Sequence, residues 1–226
     1  MLLALALSLS APPVLAAEPA RVEWAATKVP PNAKSLLPVL DALLAEMWPE
    51  LKDRAVLAAQ IEQESCVDRL PVERQKTCWS PNAERKTDRE YGFGLGGITV
   101  TYDAAGAEVL NGFSEVKKLD ATLAGWTWED RFDAKSQLRA VVALNRKLWR
   151  KMTFETADER EKTAFLLAAY SGGLGALQKE RALCEKTLGC DVKRWFGHVE
   201  KHSRKGDYVT QILDVRKSKY ESAFTK

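Results

Sequence analysis

The chain has 226 residues, 46% of them hydrophobic, so it can bury a core the size of one ordinary domain and is not a disordered chain. Its 34 basic and 31 acidic residues leave a net charge of only +3. That balance argues against nucleic acid as a partner, while slight basicity suits an anionic polymer such as a bacterial cell wall.

Residues 1–17, MLLALALSLSAPPVLAA, carry no charge and end in small residues, as an export signal does, with cleavage expected near Ala16 or Ala17. No Lys or Arg precedes the apolar stretch, so the segment reads as a signal peptide or a weak membrane anchor. The expected location is periplasmic or secreted. Residues 18–34 contain three prolines and read as an extended lead-in. A mostly helical domain is then expected over 35–226.

SLLPVLDALLAEMW (35–48) has helical periodicity, with Ser35 a plausible N-cap and Pro49 closing the helix. LKDRAVLAAQIEQES (51–65) begins the next. Residues 66–97 are polar and turn-rich and end in the glycine cluster YGFGLGG; 98–133 look irregular apart from a short strand or hairpin around ITVTYDAAG. KSQLRAVVALNRKLWRKM (135–152) is amphipathic, with Leu138, Val141, Val142, Leu148 and Trp149 on its apolar stripe. EKTAFLLAAY (161–170) is apolar enough for a central helix, with Gly172-Gly173 as its stop. A last helix is expected around YVTQILDVRKSKY.

Four cysteines in an exported chain suggest two disulfides, and three pairings are possible. The local pairs Cys66–Cys78 and Cys184–Cys190 are the simplest. Neither metal nor cofactor is expected, because no Cys-x-x-Cys occurs and the histidines are only His198 and His202.

Two carboxylates stand two places apart in Gln-Ile-Glu-Gln-Glu-Ser, residues 60–65. At about 100° per residue, with Leu57 at zero, Ile61 lies near +40°, Glu64 near −20° and Glu62 near +140°. Glu64 is therefore expected on the buried stripe and Glu62 in water. A poorly solvated carboxyl holds its proton to higher pH, as a general acid must. The bland alternative for Glu64 is a structural ion pair, for instance with Arg69 or Arg74.

Four segments in order shift that balance: Glu64-Ser65; Gly92-Phe93-Gly94-Leu95-Gly96-Gly97-Ile98; Ala168-Ala169-Tyr170-Ser171-Gly172-Gly173-Leu174-Gly175; and Asp207-Tyr208-Val209. This order resembles the lytic transglycosylases of the goose-type lysozyme superfamily, and most closely their phage-type members, over roughly residues 50–215. The resemblance implies a mainly α, lysozyme-like domain with a small irregular or β-hairpin segment. It further implies cleavage of the β-1,4 bond between N-acetylmuramic acid and N-acetylglucosamine, with 1,6-anhydro ends as products. Glu64 would be the single catalytic acid and base. Ser65, Gly94, Leu95, Gly96, Gly97, Tyr170, Ser171 and Tyr208 would bind or position substrate, although Ser65 could instead orient local backbone. The chain departs from the family pattern twice, with Gly97 where the family has glutamine and Ser171 where it has asparagine.

Asp88, Glu90, Asp130 and Asp133 lie in charged surroundings and read as solvated or ion-paired. Trp126, Trp128 and Trp195 could stack on sugars, but core packing is the commoner use of tryptophan. His198 stands outside the four segments and reads as structural. The expected partner is the peptidoglycan glycan strand, without nucleic acid, with membrane contact only through residues 1–17, and with the chain a monomer. The rival readings are a hydrolytic lysozyme and a catalytically weak peptidoglycan-binding module.

Overall fold

Two helices, α1 (Ala33–Met47) and α2 (Ala55–Ser65), open the computed structural model, which describes residues 27–66 and 78–224. The expected export segment 1–17, most of the lead-in, and Arg69 and Arg74 lie outside the described residues. Four short strands follow, β1 (Glu84–Lys86), β2 (Glu90–Phe93), β3 (Ile98–Tyr102) and β4 (Glu108–Asn111), then α3 (Gly112–Lys117). The long α4 (Ala134–Lys151), α5 (Glu159–Gly172) and α6 (Leu174–Glu185) complete the helical body. The chain ends in one distorted helix, which is α-helical over Gly206–Thr210 (α7), π-helical over Gln211–Arg216 and 3₁₀ over Lys217–Ala223. The fold is thus mainly α with one small antiparallel sheet, in the order β1-β2-β3-β4.

The helices start where short polar side chains can cap them. Asp133 accepts from the Ser136 N–H at 2.7 Å to open α4, and Asp158 accepts from the Glu161 N–H at 2.9 Å to open α5. The expected stripe of α4 is buried at Leu138, Val141, Val142 and Leu148, while Trp149 is half-buried and packs edge-on against Trp48. Gly173, at φ +81°, stops α5 as expected. At α1 the cap differs. The helix begins two residues before Ser35, and the Ser35 hydroxyl donates back to the Asn32 carbonyl at 3.2 Å.

The sheet is larger than expected. A hairpin over 98–111 is present, but β1 and β2 add a second one in the stretch that reads as turns. Strands as short and charged as Glu-Arg-Lys carry no alternation to betray them, and pairing with β2 makes them strands. Beneath the sheet lies a small apolar cluster of Phe93, Ile98, Phe113, Val116, Leu123, Trp126 and Ala140. The main core runs from Ala33 to Tyr220 and includes Trp195. Of the tryptophans weighed as sugar platforms, Trp126 and Trp195 are core residues, and Trp128 is 37% exposed.

Both disulfides join the local pairs, Cys66–Cys78 and Cys184–Cys190. Among the described residues, no helix is long and apolar enough to cross a membrane.

Candidate active site

Helix α2 is the buried centre of the molecule. Every residue from Ala55 to Glu62 is buried, so that stretch of the helix has no water-facing side. The helical-wheel expectation for Glu62 is therefore wrong. A wheel ranks faces by polarity, and it fails where tertiary packing surrounds the whole circumference. Glu62 is fully buried and its oxygens are taken up by partners: Lys219 at 2.7 Å, the Tyr220 hydroxyl, and Arg216 at 3.6 Å. Tyr220 in turn accepts from the Trp79 indole N–H at 2.9 Å. This cluster ties the C-terminal helix to α2.

Glu64 has a different environment. It sits half-buried in the last turn of α2, and among the described residues no cation forms an ion pair with it. One oxygen accepts the Tyr208 hydroxyl at 2.5 Å. Burial pushes its pKa from 4.5 up to about 7, against smaller downward pulls from the Tyr208 hydrogen bond and from the Arg85 charge. Burial and the Glu64 charge hold the Tyr208 and Tyr170 hydroxyls well above the usual tyrosine range, so both stay neutral donors.

The glycine loop closes over this carboxyl. Gly97 has φ +55°, and a Cβ built on it would stand 2.5 Å from Glu64 Oε2. A glutamine could not occupy this backbone without displacing the acid. Gly96 is equally confined, since a Cβ there would stand 2.5 Å from the Val141 side chain and 2.9 Å from the Tyr170 hydroxyl. That hydroxyl donates to the Gly96 carbonyl at 2.8 Å and so joins α5 to the loop. Gly94 packs against the Gln137 amide. Gln137, fully buried on α4, accepts from the Leu95 N–H at 2.8 Å and donates to the carbonyls of Arg131 and Pro81 at 2.8 and 2.9 Å. One amide thus fixes the loop from behind.

Glu64, Gly97, Tyr170, Ser171 and Tyr208 line a cleft of about 220 Å³ together with Gln63, Arg85 and Thr99. Arg85, Gly97, Thr99, Tyr170 and Ser171 also line an adjoining groove of about 460 Å³, which adds Gly96 and is walled by Glu90, Thr101 and Leu110 on the sheet. Three expected substrate-binding residues do not line either space: Ser65, Leu95, and Gly94, which is turned against the Gln137 amide. Ser65 is fully buried, donating to the Ile61 carbonyl at 2.6 Å and accepting from the Trp79 N–H at 2.8 Å, so it anchors the helix end beside the Cys66–Cys78 bridge. Leu95 is fully buried, its side chain serving the main core.

The other acids divide clearly. Asp133 caps α4, Asp130 accepts the Thr127 hydroxyl, and Asp88 lines a separate surface hollow by Tyr91 and Trp128. Glu161 is buried but accepts the backbone N–H of Trp195 at 2.6 Å. Glu90 alone of the four weighed acids borders the groove. A hollow of about 590 Å³ beside Lys52 and Lys217 is lined by charges that pair with one another, Lys52 with Glu159 and Lys217 with Asp53. His198 accepts the Asp191 N–H at 3.0 Å, a structural contact. The cluster Cys184, Cys190 and His202 brings metal-type donors together, but the disulfide occupies both sulfurs.

Arg85, Thr99, Gln137 and Gln60 belong to the site region and are not singled out by the sequence. Gln60 is buried one turn before Glu64 and its amide reaches the Tyr208 hydroxyl at 3.5 Å. Gln137 left a faint signal, being a polar residue one turn before Val141 on the buried face of α4. Arg85 left none, since it stands in a charged tripeptide. Comparison with known proteins adds no name to this geometry: no family model matches the chain, and no curated protein matches it.

Proposed function

We propose that the protein is an exported peptidoglycan lytic transglycosylase that uses Glu64 as its only acid and base. The observation that carries this reading is the contrast between two carboxyls on one helix. Glu62 is matched by buried cations, whereas Glu64 has no such partner among the described residues, faces a cleft and has a pKa near neutrality. Such a group is half-protonated near pH 7, where it can give a proton and take one back.

The chemistry follows from that capacity. Glu64 donates its proton to the glycosidic oxygen as the bond from the N-acetylmuramoyl C1 breaks, releasing the N-acetylglucosaminyl 4-hydroxyl. The carboxylate so formed then takes the proton of the muramoyl 6-hydroxyl while that oxygen bonds to C1. The product is the 1,6-anhydro sugar, and the acid is regenerated. An intramolecular nucleophile gains from proximity what a second carboxylate would otherwise contribute. Tyr208 keeps Glu64 oriented through its hydrogen bond. Gly96 and Gly97 let loop backbone approach the sugar, and Ser171 stands exposed at the groove's edge. Export is supported by the two disulfides, which persist in oxidising compartments.

The test is digestion of purified sacculi by the wild type and by Glu64→Gln, with mass analysis of the soluble products. Anhydro-muramoyl ends and a rate loss of about a hundredfold or more in the variant are expected. Reducing ends would instead indicate hydrolysis, with Glu90 the carboxylate along the groove available to activate water. Near-normal turnover by Glu64→Gln overturns the assignment. Sedimentation with sacculi but no released fragments by the wild type marks a binding module.

A further inference from the structure

The groove contains a guanidinium that the reaction just described does not use. Arg85 lies on β1 opposite Gly92, and Gly92 lies opposite Thr99 on β3. With glycine between them, no side chain fills the row separating Arg85 from Thr99, and both residues border the cleft that holds Glu64. Arg85 also borders the adjoining groove, so it stands where the two spaces meet.

Among the described residues it shares with Arg89 and Arg204 the lack of a carboxylate or ring partner, and of those three it alone borders the cleft. Most arginines of the described chain pair with a carboxylate, as Arg54 does with Asp41, Arg139 with Asp120, and Arg160 with Asp214. Arg131 and Arg181 lie over aromatic rings. Among the described residues Arg85 has neither kind of partner, although Glu90 stands two residues before Gly92 on the same sheet face. It is nonetheless near enough to Glu64 for its charge to act on that carboxyl. An anion bound by Arg85 would therefore lie beside the bond being cut. A planar guanidinium with free donors fits a carboxylate in two-point fashion, better than it fits neutral sugar hydroxyls.

We propose that Arg85 is a specificity residue that pairs with a carboxylate carried by the glycan next to the scissile bond. The inference rests on the transglycosylase reading above. Muramic acid supplies such a carboxylate in one of two ways. The lactyl group is a free carboxylate on peptide-stripped strands, and on substituted strands the stem peptide brings its own.

The test measures binding by calorimetric titration in the Glu64→Gln background, where the ligand is not consumed. Three probes share one N-acetylglucosamine–N-acetylmuramic acid tetrasaccharide: with free lactyl carboxylates, with lactyl methylamides, and with stem peptides attached. Arg85→Gln is expected to weaken a carboxylate-bearing probe by about tenfold or more, the scale of a hydrogen-bonded charge. The methylamide should bind within about twofold of the parent, and Arg85→Lys should recover part of the loss, since it keeps the charge but not the fork. Loss confined to the free lactyl probe identifies that carboxylate as the ligand, and loss confined to the peptide-bearing probe identifies the stem. If all three probes bind the parent protein and Arg85→Gln changes none, or changes all equally, this inference alone falls. If no probe binds the parent, it falls together with the reading beneath it.

Discussion

Replacing Glu64 with glutamine should make the protein more stable at alkaline pH while removing its proposed activity. The carboxyl is held at about 7 in the folded chain, against 4.5 as its ordinary value, chiefly because it is buried. At about 1.4 kcal/mol per pKa unit, charging it in the fold costs on the order of 3 kcal/mol more than charging it in the unfolded chain. The folded state keeps the proton between those two pH values and the unfolded state does not. Stability therefore declines as pH rises from about 4.5, and the full penalty is in place above about 7. Glutamine has a similar shape, keeps an oxygen for the Tyr208 hydroxyl and never charges. Urea unfolding at pH 4.5 and pH 8.5 reads the effect directly: the variant and wild type should have similar midpoints at the lower pH. At the higher pH the variant should gain about 2–3 kcal/mol with an unchanged m-value. A difference that is the same at both pH values would refute the claim that burial, rather than lost catalysis, marks this side chain.

Three further outcomes follow from the same geometry. Tyr208→Phe removes the hydrogen bond that lowers the Glu64 pKa, so the alkaline limb of the pH–rate profile on sacculi should move up by about one pH unit, given the strength of a hydrogen bond to a charged group; a limb that stays near 7 or moves down contradicts it. Gly97→Ala puts a Cβ 2.5 Å from Glu64 Oε2 at φ +55°. A stability loss of about 1–2 kcal/mol is expected from the backbone strain, with sacculus cleavage down about a hundredfold because the acid is displaced. Glu62→Gln removes the buried carboxylate that Lys219 and Arg216 face, so it should cost about 3–5 kcal/mol in urea unfolding at neutral pH. The two glutamine variants, two residues apart, thus move stability in opposite directions.

The helices of this protein were legible because their signals are local. The stripe Leu138–Val141–Val142–Leu148 and the Gly172-Gly173 stop each act within a few residues, whereas Asp133, which reads as solvated or ion-paired, proves to cap a helix. Local spacing also favoured the two short disulfide loops. The first hairpin was not legible, because Glu-Arg-Lys becomes a strand only by pairing with β2. Among the expected site residues, Glu64, Gly97, Tyr170, Ser171 and Tyr208 meet at one cleft, while Ser65 and Leu95 turn into the interior.

The order of residues along the chain determined which side chains could carry acid chemistry and which segments would be helical, since both follow from side-chain type and short-range periodicity. Tertiary structure alone decided that Glu62 is a buried anchor and Glu64 a groove-facing acid. A carboxyl's character depends on whether cations or an open cleft surround it, and those neighbours, Lys219, Arg216, Tyr208 and Arg85, arrive from distant parts of the chain.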